Sequence, residues 1–337
     1  MTRWLIGAGL LVAMVAFGVG VYHTAGYLKA QRNVVHRPTE VSGPSLPGTL
    51  FVVQEGAIYR FQRGKFTQIT SESGWMMPSA APDNQLVAVR RQGNYSDLYV
   101  LSAATGKTVA QLTHNSSTRA VEDNHWVFYP RFSPDGQTVF YDFDPKDAYS
   151  TYRVDLAIFA SRLDPSSRAM VWTQPNAYTG GDVNPVPLGG GGLIYTKYSI
   201  DDSFQVHPQI WIQRRAGSPG VALTAPQLGC YEPAVSPDEK LLAMVCNHGS
   251  NVSANLELAT LDLQSLTLGS PATLVGGQLV ASPAFSPDGK TIAFLAPAAS
   301  GGNFQLWTVG SSGPASVRAI TKDLGLDADS APVWVAG

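Results

Sequence analysis

The side chains best suited to chemistry in this sequence are carboxylates that fall between apolar runs. Segments 114–125, 142–149, 179–184, 198–206, 247–254 and 322–330, together with Glu232, hold twelve acids against only Arg119, Lys146 and Lys322. Asp123, Asp142, Asp182, the adjacent Asp201 and Asp202, Glu232 and Asp329 are the candidates for a binding surface. Such a set would attract a basic partner through its field, or a divalent cation through hard oxygen ligands. The plain alternative is a solvated loop face that keeps the domain soluble. No residue stands out as catalytic or as a metal ligand, and no cofactor is implied. His114, His125, His207 and His248 are scattered, without the His-x-Glu-x-x-His or Cys-x-x-Cys spacing of a metal centre. There is no Gly-x-Ser-x-Gly elbow to hold a nucleophilic serine.

The two cysteines carry a second chemical possibility. Cys230 and Cys246 lie eight residues on either side of Asp238. An uninterrupted antiparallel hairpin centred on that residue sets them opposite each other at a Cα separation of roughly 4.5–5.5 Å. That separation permits a disulfide, which agrees with an oxidising compartment. Two buried free thiols are the alternative.

The elements that must position these groups follow from an internal repeat. A phrase recurs as Pro78-Ser79-Ala80-Ala81-Pro82-Asp83-Asn84, Pro130-Arg131-Phe132-Ser133-Pro134-Asp135-Gly136, Pro233-Ala234-Val235-Ser236-Pro237-Asp238-Glu239 and Pro283-Ala284-Phe285-Ser286-Pro287-Asp288-Gly289. Degenerate copies begin at Pro185 and Pro332, so the leading prolines are separated by 52, 55, 48, 50 and 49 residues. Proline can open a strand where no ladder donor is needed, and Pro-Asp-Gly suits a tight turn. Asp83, Asp135, Asp238 and Asp288 are therefore expected to form turns rather than a site. Apolar strands follow at Leu86-Val87-Ala88-Val89, Thr138-Val139-Phe140-Tyr141, Leu241-Leu242-Ala243-Met244-Val245 and Thr291-Ile292-Ala293-Phe294-Leu295. A third strand carries an aromatic, as in Gln209-Ile210-Trp211-Ile212, and a fourth ends in threonine, as in Ala222-Leu223-Thr224. Four antiparallel strands in about 50 residues make a propeller blade.

The chain ends complete this pattern. Leu50-Phe51-Val52-Val53, Ala57-Ile58-Tyr59-Arg60 and Phe66-Thr67-Gln68-Ile69-Thr70 supply strands two to four of the first blade. Its missing first strand is Ser330-Ala331-Pro332-Val333-Trp334-Val335 at the other end. The fold class is thus all-β, a six-bladed propeller over residues 49–337 closed by both ends, which removes exposed sheet edges. Connections between blades and loops joining second to third strands emerge on one face, and that face carries the acids named above.

The Ser-Pro-Asp-Gly turns resemble those of the TolB-like family of WD-repeat-like propellers, over about 290 residues. The resemblance implies a protein-binding platform. TolB itself has an additional α/β domain before its blades, where this sequence has a spacer and an apolar run. The pattern departs in blade four, where Pro185-Val186-Pro187-Leu188-Gly189-Gly190-Gly191-Gly192 replaces the turn, and in blade five, whose third strand lacks its aromatic.

The N-terminal region has a different character. Residues 4–22 are uncharged, with Trp4 and Tyr22 at the ends. Nineteen residues at about 1.5 Å each just cross a hydrocarbon core of roughly 30 Å. The run exceeds a signal-peptide core and lacks a good Ala-x-Ala site after it, so a single-pass anchor is expected, with a cleaved signal peptide as the alternative. Residues 1–37 hold four basic side chains and no acid, and residues 38–48 read as a Pro/Gly/Ser linker. Basic residues after the span favour a cytoplasmic body under the positive-inside rule, whereas a signal-anchor so near the start exports the body of the chain. The cysteines favour export, hence a propeller facing the periplasm or cell surface.

Composition fits this division. The chain has 337 residues, only 14% charged, with 33 Gly and 23 Pro and a net charge of −2. Residues 38–337 carry 19 basic and 25 acidic side chains, so the propeller is mildly acidic and nucleic acid is not an expected partner. The reading is a membrane-anchored, non-catalytic protein-binding or scaffolding module of the cell envelope, with a partner of basic character. The alternative is a metal-assisted lyase or hydrolase acting on a carbohydrate at the propeller channel.

Overall fold

Short apolar runs, buried on both faces and separated by tight turns, give six antiparallel sheets in the computed structural model. The structure describes residues 46–81, 83–146, 154–163, 168–175, 179–299, 301–312 and 316–336. The chain divides into Met1–Arg37 and Pro38–Gly337. The first unit, with the expected span at residues 4–22, lies outside the described residues, as do Asp147 and most of the linker. No helix among the described residues is long and apolar enough to cross a membrane.

The innermost strands of blades two to six are Trp75–Ala80, Val127–Phe132, Asp182–Pro187, Cys230–Val235 and Ala281–Phe285. Blade one takes its inner strand, Val333–Val335, from the end of the chain; Phe51 pairs with Val333 and Thr49 with Val335. That strand also neighbours the inner strands of blades two and six, which closes the ring. Five hydrophobic clusters each join two successive blades, from blades one and two to blades five and six. Phe294, fully buried, belongs to the last of these. The core is therefore a series of sheet-on-sheet seams, each filled by inward residues of both blades.

The recurrent residues have specific tasks. In three turns the serine hydroxyl donates to the aspartate: Ser133 to Asp135 at 2.5 Å, Ser236 to Asp238 at 2.7 Å and Ser286 to Asp288 at 2.6 Å. The same serine Oγ accepts the N–H of Thr138, Leu241 or Thr291 where the next strand begins. Those hydroxyl and backbone donors hold all three carboxyls below the usual range. The terminal threonines likewise finish a ladder. Thr70, Thr113, Thr173, Thr224 and Thr321 each accept, at 2.9 Å, a third-strand N–H that the short outer strand leaves open.

Blade five has no such threonine. Its outer edge is instead a broken strand, Thr267–Leu268 followed by Ala272–Gln278, and Leu256 pairs with Val275 there. In the same blade Cys230 and Cys246 are cross-strand partners joined by a disulfide, with Cα atoms 4.1 Å apart.

Candidate functional site around the channel

A register shift interrupts each inner strand of blades two to six just before its proline. The residue at the bulge has positive φ: Met77 (50°), Tyr129 (47°), Asn184 (55°), Glu232 (51°) and Ser282 (55°). Following proline disfavours the right-handed helical region for its predecessor, and a bulge needs one residue turned out of the ladder. The outcome is one re-aimed side chain per blade.

Each bulge also frees a backbone N–H, and the preceding blade supplies its acceptor. Met77 N–H donates to Ser330 Oγ at 3.1 Å, Asn184 to Asp142 Oδ2 at 3.2 Å and Glu232 to Thr196 Oγ1 at 3.2 Å. Ser282 N–H donates to Glu232 Oε2 at 2.5 Å, and Tyr129 N–H lies 3.3 Å from Met77 Sδ. These five contacts run from blade to blade in one direction around the axis. The sequence repeat located the prolines, but neither the bulge nor its acceptors was evident from it.

A cavity of about 370 Å³ opens over this ring, lined by Met76, Met77, Phe128, Tyr129, Tyr198 and Tyr231 with the charged Arg91, Glu232 and Asp329. A smaller cavity of about 20 Å³ shares Tyr129, Asn184, Glu232 and Asp329 with it and adds Arg131 and Ser282. Burial dominates the electrostatics. It raises the Glu232 carboxyl to about 7, with Asp329 adding to the rise while the Ser282 N–H and Arg131 oppose it. Burial lowers the Arg131 guanidinium, and the Asp142 charge offsets part of that loss. It carries Asp142 well above the carboxylate range, and Asp142 Oδ1 is buried without a hydrogen-bond partner among the described residues. Tyr198 and Tyr231 are both pushed up to about 12, first by burial and then by Glu232.

The seven acids therefore divide. Glu232 and Asp329 meet at the cavity, with Asp329 exposed at its rim. Asp142 lies buried behind Asn184 as an inter-blade acceptor. Asp182 is buried and paired with Lys197 at 2.9 Å, so it presents no free charge at the mouth. Gly181 (φ 97°) allows this placement, because a Cβ there would lie 2.0 Å from the Leu156 carbonyl oxygen. Asp201 Oδ2 pairs with His207 Nε2 at 2.8 Å at a hairpin tip, Asp202 is exposed beside it, and Asp123 is exposed on the 3₁₀ turn Val121–Asp123. The aromatic and methionine lining was missed by a reading that followed charge.

A second cavity, about 470 Å³, lies at the margin of blade five, where His248 Nε2 meets Glu257 Oε1 at 2.6 Å. Among the described residues no three His, Cys, Asp or Glu side chains are grouped to hold a metal ion.

No protein-family model matches the chain, and no curated protein matches it. Solved structures do. TolB from Acinetobacter baumannii is 17% identical with a TM-score of 0.61, covering 90% of this chain and 69% of its own. A candidate TolB from Agrobacterium tumefaciens is 14% identical with a TM-score of 0.57, covering 86% of this chain and 94% of its own. An oligogalacturonate lyase in complex with manganese is 14% identical with a TM-score of 0.51, covering 79% and 70%. At these identities the likeness is one of architecture, and that architecture is the TolB-like six-bladed β-propeller.

Proposed function

We propose that this chain is a non-catalytic protein-binding module of the cell envelope, held at a membrane by residues 4–22, whose partner docks over the channel mouth. The observation that carries this reading is the lining of the 370 Å³ cavity: four aromatic rings over two methionines, with the acids Glu232 and Asp329 against the single cation Arg91. The half-buried rings supply contact area for a protein surface, the two buried methionines support them from the seam of blades two and three, and the two acids select a basic group from the partner. The loop face around the mouth adds exposed apolar residues, Val121, Phe204, Val252 and Leu279 among them. The TolB-like architecture is compatible with this use, and the disulfide fits an extracytoplasmic location.

The alternative, a metal-assisted lyase or hydrolase, draws on the Glu232 carboxyl near neutrality and on the likeness to the lyase. It is less well supported, because among the described residues the cavity offers one half-buried acid and one exposed acid instead of a convergent ligand set.

Affinity capture from detergent-solubilised membranes of the native host, using the full chain, tests the proposal. Glu232→Gln with Asp329→Asn should lower recovery of the co-purifying protein at least tenfold at unchanged folding. Equal recovery by wild type and variant would remove the mouth as the docking site.

A further inference from the structure

The loop face carries one element built for presentation. The second and third strands of blade four, Leu193–Ile200 and Val206–Gln213, form a hairpin with eight consecutive cross-strand partners. The pairings between second and third strands in blades two and six reach seven. Its tip is the five-residue loop Asp201-Asp202-Ser203-Phe204-Gln205. Asp201 Oδ1 accepts the N–H groups of Ser203 at 2.8 Å and Gln205 at 2.9 Å, while Asp201 Oδ2 meets His207 Nε2 at 2.8 Å. Backbone bonds from Phe204 N–H to the Asp201 carbonyl and from Asp201 N–H to the Gln205 carbonyl close the loop. The tip is thus braced before any partner arrives, which reduces the ordering cost of binding.

Phe204 sits on this brace at 85% exposure with φ of 59°. Both properties disfavour phenylalanine. Left-handed backbone suits glycine or asparagine, and an exposed ring gains nothing from the core. Of the thirteen non-glycine residues with positive φ among the described residues, Phe204 is the one exposed Phe, Tyr or Trp, since Tyr129 is half-buried. Ile200 and Val206 flank it at 37% and 46% exposure, and Val252, at 80%, tops the equivalent loop of the adjacent blade. Strain retained at an exposed aromatic points to contact with something outside the fold. The charge around the ring selects what that is. Asp201 and Asp202 lie within three residues and segment 198–206 holds no Lys or Arg, so anionic headgroups would repel the tip.

We infer that the blade-four hairpin is the anchor of a protein partner: Phe204 enters an apolar pocket whose rim carries Lys or Arg side chains facing Asp201 and Asp202. This rests on the docking function proposed above and names its contact. Tyrosine, tryptophan and similar aromatic anchors commonly dominate binding when a pocket encloses them.

The test uses the full chain in host membranes with the photo-crosslinking residue p-benzoylphenylalanine placed at 204, at 252, or at the exposed outer-strand position 109. Positions 204 and 252 should yield one and the same foreign protein, joined through a peptide rich in apolar residues and Lys or Arg; position 109 should not. With the crosslinker at 252, Phe204→Asn should lower that adduct at least tenfold and Asp202→Lys several-fold. The melting temperature of Phe204→Asn should stay within about 2 °C of wild type or rise, because asparagine tolerates this backbone. Loss of the adduct together with a marked fall in melting temperature would make Phe204 structural and overturn the inference. So would an adduct with lipid, with a second copy, or with a peptide lacking basic residues. If position 204 gives no adduct while capture still depends on Glu232 and Asp329, the anchor fails and the docking function stands. If neither is seen, both fail.

Discussion

Glu232 in blade five and Ser282 in blade six are joined across fifty residues of sequence by one hydrogen bond, Ser282 N–H to Glu232 Oε2 at 2.5 Å. The same carboxyl lines the candidate docking cavity, so it has a packing task and a surface task at once. Its protonation should therefore be visible in stability as well as in binding.

The folded-state value of about 7 for Glu232 lies above its ordinary value of 4.5. A raised acid binds its proton more tightly in the folded state, so its stabilisation is complete below pH 4.5 and is lost as pH rises through 7. Glu232→Gln keeps an oxygen for Ser282 and removes the titration. Wild type should lose on the order of 2–3 kcal/mol more than the variant between pH 4.5 and 8. Urea unfolding at those pH values measures this, and parallel profiles would contradict it.

The turn acids have the opposite sign. Serine hydroxyls and backbone N–H groups lower Asp135, Asp238 and Asp288, so their contribution is present above the unfolded carboxylate value and is lost as pH falls through the folded one. Replacing all three by Asn should flatten the acid limb of a circular-dichroism titration below about pH 4 and leave the neutral limb unchanged.

Thr224 Oγ1 is the acceptor for the buried Ile210 N–H. Thr224→Val keeps the shape but strands that donor, which costs about 1–3 kcal/mol. Thr224→Ser retains the hydroxyl and should lie nearer wild type. Chemical denaturation of the two variants separates hydrogen bonding from side-chain volume.

The Cys230–Cys246 bridge closes a loop of sixteen residues. By the chain-entropy argument its loss should lower stability by about 3 kcal/mol. Denaturation with and without reductant, paired with a thiol count under denaturing conditions, provides the check. Two reactive thiols before reduction would refute the bridge.

The two scales of organisation explain what was legible. Short apolar runs, Ser-Pro-Asp-Gly turns and terminal threonines act within about twenty residues, so Ser286, Asp288 and Thr291 disclose their hydrogen bonds in the one-dimensional pattern. The evenly spaced prolines and the strand borrowed from residues 333–335 disclose the six blades and their closure in the same way. The eight-residue symmetry about Asp238 also sets Cys230 against Cys246.

The site was less legible because it is made between blades. Asp182 and Glu232 begin alike, as acids near the start of inner strands. Asp182 meets Lys197 across its own blade and is neutralised, whereas Glu232 sits on the bulge and faces the channel. Local sequence determined the blades, because turns and ladders are satisfied by near neighbours. Which acids share a cavity, and which aromatics surround them, was decided only by the closed ring, where bulges bring together residues 36 or more positions apart.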